Sequence, residues 1–400
     1  MSEGNSVFEE IGRWKQREAE AQFDVELCVT GRSSETVPMI FMNEPSHREG
    51  SGGGYDGTVC SAYPFRPLGM LIPTVVAGNY SSLEKSDLDI RYLSEHKSGS
   101  DDYALAIEQV APKISNWFGD RRNKPVKAEV LDLPDPEASP FESGNMLLMP
   151  LQADESTLLL MAARQLTHLY FPSPRTWISD GLAAYAQANY FLNEKGRDAA
   201  LVYLENHRGG LVEVEKQNFE KEGDRSAESS LLNSWDEFFI QTKAMNVWWM
   251  LKDIVGDTNL SAALHNYKAN DDTSAYYMQK LIEAQARRDL AWFFDDWVYR
   301  DRGLPNLRIV SVYPRDILNG GYLVTVTLEN QGAAGAEVPV TVRMASGEST
   351  ERLIVPGKSK ASVRVLAAAV PQEVRVNDGS VPESETTTHV YKIEAKQLHH

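Results

Sequence analysis

The sequence predicts a multidomain α+β chain with β-rich ends and a helical middle. Three observations predict it. Between Phe23 and about Tyr92, short apolar runs alternate with turn residues, the pattern of strands rather than helices. From Ser156 to about Trp297, apolar residues recur at helical spacing almost without interruption. After Gly303, β-branched runs are punctuated by Gly, Pro, Asn and Asp, as in a small antiparallel sandwich. At 400 residues the chain also exceeds what one hydrophobic core organises, so several domains are expected.

The elements follow in order. Residues 8–21 read as a short helix or a frayed end, and DVELCVTG, TVPMIFM, MLIPTVVAG and LDIRYL as strands. The GSGGG stretch at 50–54 has the composition of a flexible linker, either a natural loop tip or an engineered replacement for an excised segment. DDYALAIEQVAPKISNWF at 101–118 carries helical spacing, with Asp at its start and Gly119 after its end. Pro112 should kink that helix or split it. VKAEVLDLP and NMLLMPL read as strands, and helices are expected at 156–171, 177–194, 197–208, 234–255, 259–270, 274–286 and 289–298. LRIVSVYP through EVRVND then supply about seven short strands.

Composition excludes some functions. A formal net charge of −17 argues against a nucleic-acid partner, which calls for clustered Lys and Arg. No apolar run approaches the roughly 20 residues of a spanning helix, so no integral membrane segment is expected. The N-terminal MSEGNSVFEEIGRWKQREAE lacks the layout of a signal peptide. The expectation is nevertheless an exported protein, periplasmic or extracellular, with its signal absent from this chain. Cys28 and Cys60 could form one disulfide in an oxidising compartment or remain two buried thiols. His47, His96, His207, His265 and His389 have no potential ligand at a spacing that stands out from chance.

One helix carries a chemical question. RQLTH at 164–168 lies within MAARQLTHLY, followed by the turn PSPR and then WISDGLAAYAQANY. A zinc peptidase helix places two His at i and i+4 on one face, with a Glu beside the first to activate the bound water. Downstream stand QTKAMNVWWMLKDIVGD at 241–257 and DLAWFFDDWVYRDRGLPNL at 289–307. Taken as an ordered set, these segments resemble the gluzincin zinc aminopeptidases, the family of alanyl aminopeptidase and leukotriene-A4 hydrolase. The similarity spans about 65–330 and is most pronounced over 156–195 and 241–307.

The resemblance implies a thermolysin-like catalytic-type domain with a mostly helical second half. The domains expected are then an abbreviated N-terminal β-domain at 1–95, the gluzincin-like domain at 96–306, and an Ig-like β-sandwich at 307–400. It also implies roles by position. The family's first His falls on Arg164, its general base on Gln165, its second His on His168 and its third ligand on Asp180. The Tyr that steadies the tetrahedral intermediate falls on Gln241, and the Lys of the same segment is Lys243. The family's exopeptidase loop should lie near SPFESGNM at 139–146, where there is no clear match.

Arginine has no lone pair for a metal, and glutamine cannot take up a proton as a base. The expectation is therefore a catalytically degenerate aminopeptidase-like protein, without zinc, that binds a peptide or protein ligand. Arg164 should replace the missing metal charge by pairing with Asp180. The alternatives are an active zinc aminopeptidase with an atypical site, holding one zinc, and a structural or surface interaction module. The oligomeric state is not legible in the sequence.

Overall fold

The computed structural model describes residues 21–30, 38–43, 58–65, 72–85, 88–120, 127–222, 230–234, 236–317 and 320–394. The GSGGG stretch and, but for Ala21, the helix expected over 8–21 lie outside the described residues. The chain divides into two compact units, residues 1–172 and 173–400, described separately below.

In the first unit, strands β1 (Phe23–Thr30) and β3 (Thr58–Phe65) pair antiparallel and set Cys28 opposite Cys60. Directly opposed positions bring two Cβ atoms within reach of a disulfide, and the two sulfurs are bonded. The question the sequence left open is thus answered by strand register. Strand β2 (Met39–Met42) pairs with β4 (Val75–Gly78), and its alternating side chains serve two small cores. Met42 packs with Tyr63 and Phe65, whereas Phe41 packs with Leu131 and Met146.

The larger sheet has five strands in the order β5 (Ser81–Glu84), β6 (Leu88–Tyr92), β7 (Ala128–Asp132), β9 (Met146–Met149), β8 (Phe141–Ser143). Its inner pairings are parallel and its two edge pairings antiparallel. Helix α1 (Lys97–Phe118) carries the chain from β6 to β7, the crossover that parallel pairing demands. The short apolar runs of β7 and β9 are buried nearly throughout, as strands with both faces covered should be. Pro112 does not split α1, which runs unbroken for 22 residues. Pro112 and Glu108 both lie on its exposed side, so water can take the Glu108 carbonyl that proline leaves without a donor. Buried Asp132 closes the end of the sheet: it accepts from the amides of Leu93 and Leu151 and faces His96 Nδ1 at 2.7 Å. His96 therefore has an acid partner that lies 36 residues away in sequence, beyond any local spacing rule. Helix α2 (Glu155–Tyr170) follows β9.

The second unit opens with α3 (Thr176–Lys195), α4 (Arg197–Glu222), α5 (Glu237–Val255), α6 (Asp257–Asn266), α7 (Tyr277–Ala286) and α8 (Ala291–Phe294). α4 passes well beyond the expected stop at 208. Ala200, Leu204, Leu211 and Glu215 are all buried, so one inward stripe continues across Gly209–Gly210 and holds the helix together. α3 and α5 approach closely because Gly181 has no side chain: a Cβ there would lie 2.5 Å from Ala244 Cβ. The Trp177 and Trp248 rings stack beside this contact, 5.2 Å apart, and Trp248 Nε1 donates to the Trp177 carbonyl.

Seven strands complete the unit, β10 (Leu307–Asp316), β11 (Tyr322–Asn330), β12 (Ala336–Met344), β13 (Gly347–Val355), β14 (Ser359–Ala367), β15 (Pro371–Val376) and β16 (His389–Lys392). They form two antiparallel sheets, β10-β11-β14 and β13-β12-β15-β16. Burial alternates along the strands, with Val324, Val326, Leu328, Val338, Val340 and Val342 fully covered. This is the period-2 pattern of sheets with one wet and one dry face.

Candidate functional site

The RQLTH helix, α2, begins at Asp154, whose side chain caps it by accepting from the Thr157 amide at 3.1 Å. Its buried stripe of Leu158, Leu159, Ala162, Ala163 and Leu166 fixes its rotation. Residues 164 and 168, one turn apart, consequently share a face. Both reach the same carboxylate. Arg164 Nε donates to Glu142 Oε2 at 3.0 Å, and His168 Nδ1 faces Glu142 Oε1 at 2.8 Å.

Glu142 sits on the short edge strand β8, which Ser143 anchors. Ser143 Oγ accepts from Asn43 Nδ2 at 3.0 Å and from the Ile72 amide at 3.3 Å. Asn43 in turn donates to the Ile72 carbonyl and accepts from the Thr74 amide. The carboxylate is thus aimed by a polar cluster drawn from three chain segments. The Glu142 side chain is only 12% exposed, and burial by itself would raise its pKa. The charges and hydrogen bonds of His168 and then Arg164 outweigh that and bring it down to about 2.

Gln165 is buried and turned inward, accepting from the Tyr103 hydroxyl at 2.9 Å. Burial and the nearby Glu142 charge push the Tyr103 phenol well above its usual range, so it remains a neutral donor to that amide. The pair holds α2 to α1.

The other positions belong to the second unit. Asp180 is half-buried in the first turn and a half of α3. Gln241 is half-buried near the start of α5. Two residues on, Lys243 is fully buried and donates to Glu215 Oε1 at 2.6 Å and to Asp301 Oδ1. The rings of Phe239 and Trp297 lie 5.2 and 5.7 Å from its ammonium. Burial would lower the Lys243 pKa, but Asp301 and Glu215 more than offset this and raise it. Lys243 therefore ties α5 to α4 and to the segment that leaves the helices.

The structure brings Arg164 and His168 together, and sequence reasoning missed the residue that joins them. Glu142 does fall within the SPFESGNM stretch expected to carry the exopeptidase loop, which was the available signal. Glu215 and Asp301, the partners of Lys243, had no sequence signal. Among the described residues, one grouping of three ligand-type side chains comes close enough for a shared ion: Glu26, Cys28 and Cys60. Its two sulfurs are bonded to each other and offer no thiolate.

No protein-family profile matches this sequence, and no curated protein matches it. Among solved structures, the chain is similar to an M1 zinc metallopeptidase from Deinococcus radiodurans, at 16% identity and a TM-score of 0.46. That match covers 71% of this chain and 64% of the other. A point mutant of that enzyme bound to a Tyr-Ser-Ala substrate gives 16% identity, a TM-score of 0.44, and coverage of 71% and 65%. A point mutant of a two-domain M1 zinc metallopeptidase bound to L-arginine gives 15% identity and a TM-score of 0.43, with 66% and 60% covered. The chain thus spans less than two thirds of the length of these structures.

Proposed function

We propose that this chain is a catalytically degenerate relative of the gluzincin aminopeptidases, one that binds peptide or protein ligands without zinc-dependent hydrolysis. The observation that carries the reading is the shared carboxylate: Glu142 holds both Arg164 and His168. At the two positions where the family places zinc nitrogens, one side chain is a fixed cation without a lone pair. The other has its Nδ1 committed to Glu142. A dication beside the guanidinium would meet like charge, so the residues present do not fit a zinc ion. Gln165 adds to this, since its amide is already engaged by Tyr103 and cannot serve as a base.

The layout proposed is an N-terminal β-domain, a peptidase-type domain and a C-terminal β-sandwich, in an exported protein. The Cys28–Cys60 disulfide supports an oxidising compartment. The functional test pairs an assay with a titration. Aminoacyl reporter substrates should not be turned over, with or without added zinc, while short peptides should give saturable heat in calorimetry. Chelator-sensitive turnover would instead establish an active enzyme.

A further inference from the structure

The outward face of the three-stranded sheet β10-β11-β14 carries an arrangement that the candidate site does not use. Register places Tyr313, Thr325 and Arg364 side by side in one row, and Arg315, Leu323 and Leu366 in the next. Tyr313 is 62% and Leu366 59% exposed, and both arginines are exposed as well. Among the described residues, neither Arg315 nor Arg364 has an acidic or hydrogen-bonding side-chain partner. Several other charges of the sandwich are paired. On the same face, Arg308 and Lys360 converge on Glu329. On the four-stranded sheet, Arg343 meets Glu348 and Glu373, and Arg375 also meets Glu373. In a chain of net charge −17, this face sets two cations beside an exposed aromatic and an exposed leucine.

We infer that this face docks an extended acidic peptide segment, with two carboxylates three or four residues apart and apolar side chains between them. Charge complementarity selects the occupant, because two guanidiniums without internal partners are receptors for carboxylates. Spacing selects its form. Arg315 and Arg364 lie two strands and one row apart, which puts their Cα atoms about 12 Å from each other at ordinary strand spacing and rise. An extended chain covers about that distance between residues i and i+3 or i+4. Leu323 and Leu366, with Tyr313 at the corner, supply the apolar floor between the two cations. Tyrosine and arginine are also the side chains that dominate binding at interfaces.

The test uses the full chain and a fluorescein-labelled peptide, Glu-Phe-Leu-Leu-Glu, followed by anisotropy. The parent protein should bind it, with affinity falling as salt rises, and should not bind the same peptide with Lys in place of Glu. Arg315→Glu combined with Arg364→Glu should weaken binding at least tenfold while leaving the circular dichroism and the melting temperature unchanged. If that variant misfolds, Arg315→Gln with Arg364→Gln serves instead, with a loss of at least fivefold expected. Loss in either pair separates this face from any peptide site elsewhere in the chain. Unchanged affinity in a folded variant, or equal binding of the Lys peptide, would overturn the inference. Tighter binding to phosphatidylglycerol vesicles than to the peptide would assign the face to lipid. Self-association of the parent that the double variant abolishes in sedimentation would assign it to a second copy of the chain.

Discussion

Replacing Glu142 by Gln removes the negative charge, and one of the two acceptor oxygens, that Arg164 and His168 share, with little change in shape. The carboxyl is held at about 2 against an ordinary 4.5. A difference of that size is worth on the order of 3 kcal/mol of stability at neutral pH. Because the folded value lies below the unfolded one, this contribution is complete above about pH 5 and is lost as pH falls from about 4.5 towards 2. The glutamine does not titrate, so the gap between parent and variant isolates the effect from every other acid in the protein. For a unit of this size, 3 kcal/mol corresponds to roughly 6–12 °C in melting temperature. Thermal melts of both proteins at half-unit steps from pH 7 to pH 3 provide the assay. The gap should be widest at pH 6–7 and shrink steadily below pH 4.5. A gap that stays constant down to pH 3, or no gap at pH 7, would refute the assignment of Glu142 as the charged partner of both side chains.

Lys243→Met should strand the Glu215 and Asp301 carboxylates in the interior and cost about 3–5 kcal/mol, read by urea unfolding; a loss under 1 kcal/mol would mean those acids find water. Gly181→Ala tests the close approach of α3 and α5 by its sign. In an ordinary helix interior that change stabilises by about 1 kcal/mol, whereas here the added methyl must displace Ala244 and Trp248, so the melting temperature should fall. Reduction of Cys28–Cys60, which closes a separation of 32 residues, should cost about 3–4 kcal/mol on a chain-entropy estimate. Melts with and without a reductant check it, and coincident curves would contradict the disulfide's contribution.

Where the sequence was informative, it was because the burial pattern is periodic. α2 and α3 lie within a residue of the expected 156–171 and 177–194, since each has an apolar stripe and a turn or glycine at its end. α4 outran its expected end because a Gly-Gly pair looks like a stop in one dimension, while the inward stripe of Leu204, Leu211 and Glu215 overrides it in three. Strands β3, β5 and β8 had weak or no signal. They are edge or ribbon strands of three to eight residues, and pairing rather than composition makes them strands. The site divides in the same way. The positions that the resemblance singles out, Arg164, Gln165, His168, Asp180 and Gln241, could be named from local motif alone. The partners Glu142, Tyr103, Glu215 and Asp301 could not, because each meets its residue across 22 to 62 positions of chain. Long-range charge pairing leaves no mark at short spacing.

We propose that the RQLTH helix holds no zinc, and the metal content of the purified protein tests this most directly. The protein would be dialysed first against zinc and then against metal-free buffer, and zinc counted by elemental mass spectrometry. Near zero zinc per chain is expected, unchanged in His168→Ala. About one zinc per chain, retained through dialysis and lost in His168→Ala, would contradict it and make His168 a ligand in a working metal site.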